Sequence, residues 1–273
     1  MDLLKIIGEK MKISFFEEFP TAANLAKLKY VNWDTKLYLA APSIKEFLKL
    51  EKEILKNYKQ VTEVIYWPIL PIEKGYWISS WSDTSALKQL FFELLEEEKR
   101  REKTKEKSLS VMLDFEPPKQ RRQILTRFFS FSKNRKQIIE FLVAAQENGI
   151  KLYNIEMSHL PESVVWFLGL GYNPLAFGHK NIAMYYTSFL RPVVGNSIAK
   201  FRFKRNVKKF VRRKMIIGVG LIAPGIHETE SCYGAKELEE DLRICYKNKC
   251  KEAIIFRLGG MDKEMQKVFE KFV

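Results

Sequence analysis

The run Leu113-Asp114-Phe115-Glu116-Pro117-Pro118 closes an apolar stretch with two carboxylates spaced two residues apart. A strand repeats every two residues, so Asp114 and Glu116 are expected on one face. Acids on one face at the mouth of a buried strand cost free energy unless they are paired, hydrated or used in chemistry. Crowded carboxylates also raise one another's pKa, which lets one keep its proton near neutrality and act as a general acid. Glu116 is therefore the candidate acid/base and Asp114 its partner.

Other chemistry-bearing residues fall at comparable places. Glu17 and Glu18 end the first apolar run, and Tyr66 and Trp67 end the third. Asn154, Glu156, Ser158 and His159 belong to the end of the fifth, and Tyr185, Tyr186 and Thr187 close the sixth. His227, Glu228 and Glu230 come after the seventh, and Arg257 closes the eighth. Glu156, Tyr186 and one of Glu17 or Glu18 are expected to complete a site with Asp114 and Glu116. Trp67, Trp77 and Trp81 offer ring faces to the C–H groups of a sugar.

The elements that must position these residues alternate eight times between period two and period 3.6. Strands are predicted at 12–19, 36–41, 63–70, 109–115, 151–157, 181–188, 215–223 and 253–258. Helices are predicted near 21–31, 43–58, 84–103, 134–148, 161–170, 197–213, 234–248 and 262–272. Ser43 with Glu46 reads as a capping box, and Asp83, Asn134 and Asp262 read as N-caps. Gly149 stands where a left-handed helix end is wanted. Near-continuous apolar strands such as Val64-Ile65-Tyr66-Trp67 suit a parallel sheet covered by helices. The expectation is a single α/β domain over 1–273, a (β/α)8 TIM barrel. Met11 offers a second start, which would make 1–10 an upstream extension. The two longest interruptions, 68–82 and 117–133, both follow strand C-termini, the end that carries active sites in such barrels.

Composition narrows the classes. The 273 residues are 46% hydrophobic, enough for one large core. No uncharged apolar stretch approaches the ~20 residues needed to span a bilayer, and the start lacks a signal-peptide pattern. The three cysteines, Cys232, Cys245 and Cys250, are an odd number in a chain that needs no staples, which points to a reducing cytoplasm. Net charge is +14, and no acid occurs between Glu162 and Glu228. Nine of the fifteen residues from Lys200 to Lys214 are Lys or Arg, a block suited either to an anionic surface or to the solvated side of an outer helix. Lys and Glu richness with few Gln also suits a thermophile's surface. No Walker loop, GxGxxG after a first strand, HExxH or GxSxG elbow is present.

Asp114-Phe115-Glu116-Pro117 resembles the strand-four ending of family-18 glycoside hydrolases, the chitinase-like barrels. Met184-Tyr185-Tyr186-Thr187 is similar to their strand-six segment. The resemblance implies a hydrolase acting on an oligosaccharide, with Glu116 protonating the glycosidic oxygen, Asp114 orienting an acetamido group and Tyr186 positioning it. Leu109, Met112 and Thr187 stand where that family has Asp, and Arg257 where it has Trp.

Within the same class, a two-carboxylate mechanism would pair Glu116 with Glu156, Glu17 or Glu18, at about 5–5.5 Å or 6.5–9.5 Å. No cofactor is then required. A second class is a sugar isomerase or lyase using Mn²⁺ or Mg²⁺, with Glu17, Asp114, Glu156, His159 and His227 as donors. A third is a phosphosugar-binding barrel, in which the backbone at Gly225, Gly259 and Gly260 approaches an anion with help from Arg257.

Overall fold

A computed structural model describes residues 10–120, 122–156, 161–226 and 230–273, with the side chain of Glu156 excluded. His159, His227 and Glu228 lie outside the described residues, as does the proposed extension up to Glu9. Eight strands close into a parallel barrel in sequence order. They are β1 (Lys12–Glu17), β2 (Thr35–Ala41), β3 (Val61–Pro68), β4 (Ser110–Asp114), β5 (Lys151–Glu156), β6 (Lys180–Met184), β7 (Ile216–Gly220) and β8 (Glu252–Phe256). The expected (β/α)8 barrel is the observed fold.

The helices are α1 (Ala22–Leu25), α2 (Ile44–Asn57), α3 (Thr84–Thr104), α4 (Arg122–Thr126), α5 (Phe131–Glu147) and α6 (Glu162–Phe167). After these come α7 (Pro174–Phe177), α8 (Thr187–Val194), α9 (Asn196–Arg212), α10 (Ala235–Lys247) and α11 (Lys263–Phe269). Three of them, α4, α7 and α8, occupy segments read from sequence as loop or strand. Strand six stops at Met184 rather than reaching 188, because the chain turns at Tyr186 into α8.

Expected caps form at Ser43, which accepts from Glu46 N–H at 3.2 Å, at Asp83 from Ala86 at 2.9 Å, and at Asp262 from Glu264 and Met265. Gly149 adopts φ 81°, as its place after α5 requires. Asn134 departs from expectation. It sits inside α5, fully buried, and its amide donates to the carbonyls of Ser80 and Ser82 at 3.0 and 2.7 Å while its oxygen accepts from Thr84 Oγ1 at 2.7 Å. A residue read as a helix cap instead clamps the long loop after β3, satisfying two buried carbonyls that no strand partner reaches.

The chain forms two compact units. The first comprises the described part of Met1–Leu39 with Glu53–Val64 and Ala183–Val273; the second comprises Ala40–Lys52 and Ile65–Ile182. In the first, register places Phe16 beside Tyr38 and Phe256, and their rings meet at 5.4 and 6.0 Å on the inner face. Phe15 points the other way, onto Phe269 of α11 at 5.6 Å. At the N-terminal ends of these strands Glu252 accepts from Ser14, Tyr38 and Lys36, and Lys36 also reaches Glu63 at 3.5 Å. That group ties four strands together at the end of the barrel that supports stability rather than chemistry.

Asp241 of α10 anchors the helices around β7. It is fully buried, and its carboxylate accepts from Thr187 at 2.5 Å, Tyr233 at 3.0 Å and Arg191 at 2.9 Å. Arg191 also lies over the Tyr233 ring.

In the second unit Tyr66 of β3 stacks on Phe47 of α2 at 4.7 Å, and Phe91 of α3 on Phe141 of α5 at 4.2 Å. Arg101, buried on α3, is held by Glu97 and Glu51.

His179, which precedes β6, is 5% exposed and neither ring nitrogen has a hydrogen-bond partner. Burial pushes its pKa down to about 4, weakly opposed by the Tyr172 backbone and Asn181. Between that value and the ordinary 6.5 the unfolded chain takes up a proton that the folded chain does not, so stability is full above 6.5 and falls as the pH drops toward 4. The loss amounts to about 3 kcal/mol at roughly 1.4 kcal/mol per pH unit. Urea unfolding at several pH values checks this, and His179→Leu is expected to flatten that part of the profile.

Candidate active site

Two carboxylates converge at the C-terminal end of β1 in the first unit. Glu18 follows β1 on the inward parity of Phe16, and it is 3% exposed. Its Oε2 accepts from the Ile226 N–H at 3.1 Å. Glu230, in the segment after β7, accepts from the Gly225 N–H through its own Oε2 at 2.7 Å. A Cβ placed on Gly225 would lie 2.8 Å from Glu18 Oε2 and 3.1 Å from Glu230 Oε2. Glycine at 225 is what lets both acids approach the same stretch of backbone. Phe256 closes the group, its Cζ lying 2.9 Å from that same point. Tyr186 packs on Phe256 at 5.8 Å and donates its hydroxyl to Met184 Sδ at 3.1 Å.

Glu17 has a different post. It lies on the outward parity of Phe15 and is fully buried. Its Oε1 accepts from Phe19 N–H, Asn24 Nδ2 and Arg257, and its Oε2 from Gly259 N–H at 2.7 Å. Burial holds the Glu17 carboxyl above its ordinary range, against the lowering pull of Arg257 and the two backbone N–H groups. Arg257 also donates to the Pro224 carbonyl at 2.8 Å and covers the Phe19 ring. Glu17 and Arg257 thus join the end of β1 to the turns after β7 and β8. Asn24, which completes the Glu17 shell, carried no signal in the sequence, since α1 is too short to show a periodic face.

The second unit holds the remaining predicted residues. Asp114 ends β4 and is 2% exposed. Its carbonyl accepts from Ile78 at 3.0 Å and from Glu116 at 3.2 Å. The second bond makes a tight turn about Phe115, whose backbone still bridges Ile78. Trp67 and Tyr66 are buried in β3, with the Tyr66 hydroxyl driven to a higher pKa by burial. Trp77 meets Tyr76 edge to face at 5.2 Å. Trp81 is packed against Val165, Leu170 and Phe131. Glu156 closes β5, and Asn154, two residues earlier, is fully buried with neither amide atom bonded.

Among the described residues no group of three His, Cys, Asp or Glu side chains forms a metal cluster. Glu17, a donor in the metal reading, already spends both oxygens on protein N–H groups. The Glu156 side chain, His159 and His227, three of the five donors in that reading, lie outside the described residues. In the phosphate reading's turns, Gly225 donates to Glu230, Gly259 to Glu17, and Gly260 to the Arg257 carbonyl at 3.0 Å. An anion placed there would find engaged N–H groups and three carboxylates.

Neither a family model nor a curated protein sequence matches the chain. Solved structures do. A D-psicose 3-epimerase with D-tagatose from Clostridium cellulolyticum H10 is 13% identical, with 95% of this chain and 97% of that one covered and a TM-score of 0.54. A 3-keto-D-glucoside 4-epimerase from E. coli is 12% identical over 96% and 97%, with a TM-score of 0.50. An exo-β-1,4-mannosidase from Opitutaceae bacterium strain TAV5 is 9% identical, with a TM-score of 0.59, but the match takes in 58% of its length. The likeness is one of fold.

The solved structures that match over nearly all of both chains include these two sugar epimerases, so the resemblance to family-18 glycoside hydrolases is not supported, and the glycosidase reading and hydrolase class that rested on it are not kept. The local geometry agrees. Thr187, at the family's strand-six acid, opens α8 and is bonded to Asp241. Arg257, at its strand-eight Trp, is committed to Glu17. Glu116 lies beyond the end of β4.

Proposed function

We propose that this barrel binds a sugar carrying a carbonyl group and catalyses its isomerisation or epimerisation by proton transfer between carboxylates. The observation that carries the reading is the convergence of Glu18 and Glu230 on Gly225, at the strand end where barrel enzymes place their chemistry. The end-to-end likeness to sugar epimerase folds supports the substrate class. One carboxylate, Glu18, takes the proton from the carbon beside the carbonyl, breaking C–H, forming O–H and leaving an enediolate. Glu230, the second acid/base group, delivers a proton to that carbon from the other side or to its neighbour, and exchange with water restores both acids. Two acid/base groups on one substrate are what inversion or migration at carbon requires.

The test is incubation with a panel of ketohexoses and aldoses, followed by separation of the isomers. Formation of an isomer of one sugar is expected; a fully folded protein that converts none of them would overturn the reading.

Gly225 supplies a second expected result. In Gly225→Ala the new methyl meets two flexible carboxylate ends and one ring edge, so the fold survives while the acids shift. A displacement of that size is expected to lower kcat about 10–100-fold with little change in Tm. Steady-state kinetics beside thermal unfolding separates the two.

A further inference from the structure

The outward side of α9 is a feature the proposed chemistry leaves unused. The helix buries Ala199, Phe203, Val207 and Phe210 against the barrel. At about 3.6 residues per turn, Ile198, Phe201, Arg205, Lys208 and Arg212 form one ridge on the opposite side. That ridge is apolar in its first turns, with Ile198 51% and Phe201 66% exposed, and basic thereafter. Val193, at the end of the preceding α8, adds a third apolar side chain at 80% exposure.

The cations divide into two sets. Arg191 and Lys200 are paired with Glu240 or Asp241 of α10. Arg205, Lys208 and Lys209 have no carboxylate partner among the described residues, and the sequence places no acid between Glu162 and Glu228.

We propose that the outward ridge of α9, with the end of α8, docks this protein on an anionic lipid bilayer. The positive ridge complements acidic headgroups, while Val193, Ile198 and Phe201 enter the headgroup boundary, the division of labour of an interfacial amphipathic helix. A nucleic acid would also complement the charge, but single strands are held by stacking on ring faces, and of the three apolar side chains only Phe201 has one. Among the described residues no helix is long and apolar enough to cross a membrane, so the contact proposed is peripheral.

The experiment is co-sedimentation of the full chain with phosphatidylcholine vesicles, with and without about 30 mol% phosphatidylglycerol, at low and high salt. Binding at least about tenfold stronger to the anionic vesicles, and weakened by salt, is expected. Lys208→Glu with Lys209→Glu, and separately Ile198→Ser with Phe201→Ser, should each lose most of it. Lys136→Glu with Lys263→Glu, which makes the same change in net charge elsewhere, should keep it. All these positions are exposed, and circular dichroism verifies that the variants fold.

Equal binding to both vesicle types would overturn the proposal. So would an equal loss in the off-ridge control, which would show that net charge alone acts. Retained vesicle binding in the serine variant, together with tighter binding of the wild type to single-stranded RNA, would assign the ridge to polyanions instead of a bilayer.

Discussion

Glu18→Gln is expected to lower the isomerisation rate about 10²–10⁴-fold, the usual contribution of a positioned acid/base group. The amide is nearly isosteric and its oxygen still accepts from the Ile226 N–H, so the backbone after β7 keeps its support. What is lost is the capacity to take a proton from carbon. A fall in kcat with KM nearly unchanged and Tm retained is the expected pattern, measured by steady-state kinetics and thermal unfolding. Glu17→Gln provides the contrast. Glu17 faces away from Glu18 and holds Arg257, Asn24 and two backbone N–H groups, so its replacement should act mainly on stability.

Asp241→Ala is expected to cost about 3–5 kcal/mol, the range for breaking a buried charge pair from one side. Three donors, the Thr187 and Tyr233 hydroxyls and the Arg191 guanidinium, lose their common acceptor. Arg191 keeps Glu240 as a carboxylate partner, at 3.3 Å and nearer to solvent, beside the Thr187 hydroxyl and the Glu237 carbonyl. Chemical denaturation in urea measures the loss. Because Thr187 opens α8, the same variant should loosen the start of that helix, seen as faster amide exchange there.

The barrel was legible because eight strand and helix periods follow one another with little left over, and the polar marks at Ser43, Asp83, Gly149 and Asp262 sit where element ends require them. The insertions were less so. α4, α7 and α8 are short and take their form from tertiary contacts, as the Thr187 bond to Asp241 illustrates. Glu17 and Glu18 show why a site is harder to read than a fold. Alternation says that they point opposite ways, but the strand is apolar on both faces, and Phe15 and Phe16 give no sign of which is inward. Only the neighbours settle it: Tyr38 and Phe256 for one ring, Phe269 for the other.

Asp114 and Glu116 show the limit of spacing for a related reason. The two-residue spacing places side chains only while the strand continues, and a tight turn about Phe115 follows Asp114. Glu230 belonged to the acid-rich set read from the strand ends. Its pairing with Glu18 depends on Gly225, whose glycine was equally consistent with a phosphate turn.

The central claim is proton transfer at a carbon beside a carbonyl, and solvent exchange tests it most directly. The protein is incubated in D₂O with each ketohexose and aldose, and the sugar C–H signals are followed by proton NMR. For a sugar that is turned over, the signal next to the carbonyl should decay with wild-type protein and persist with Glu18→Gln. Exchange at the same rate in both proteins, or none with any sugar in the wild type, would contradict the account.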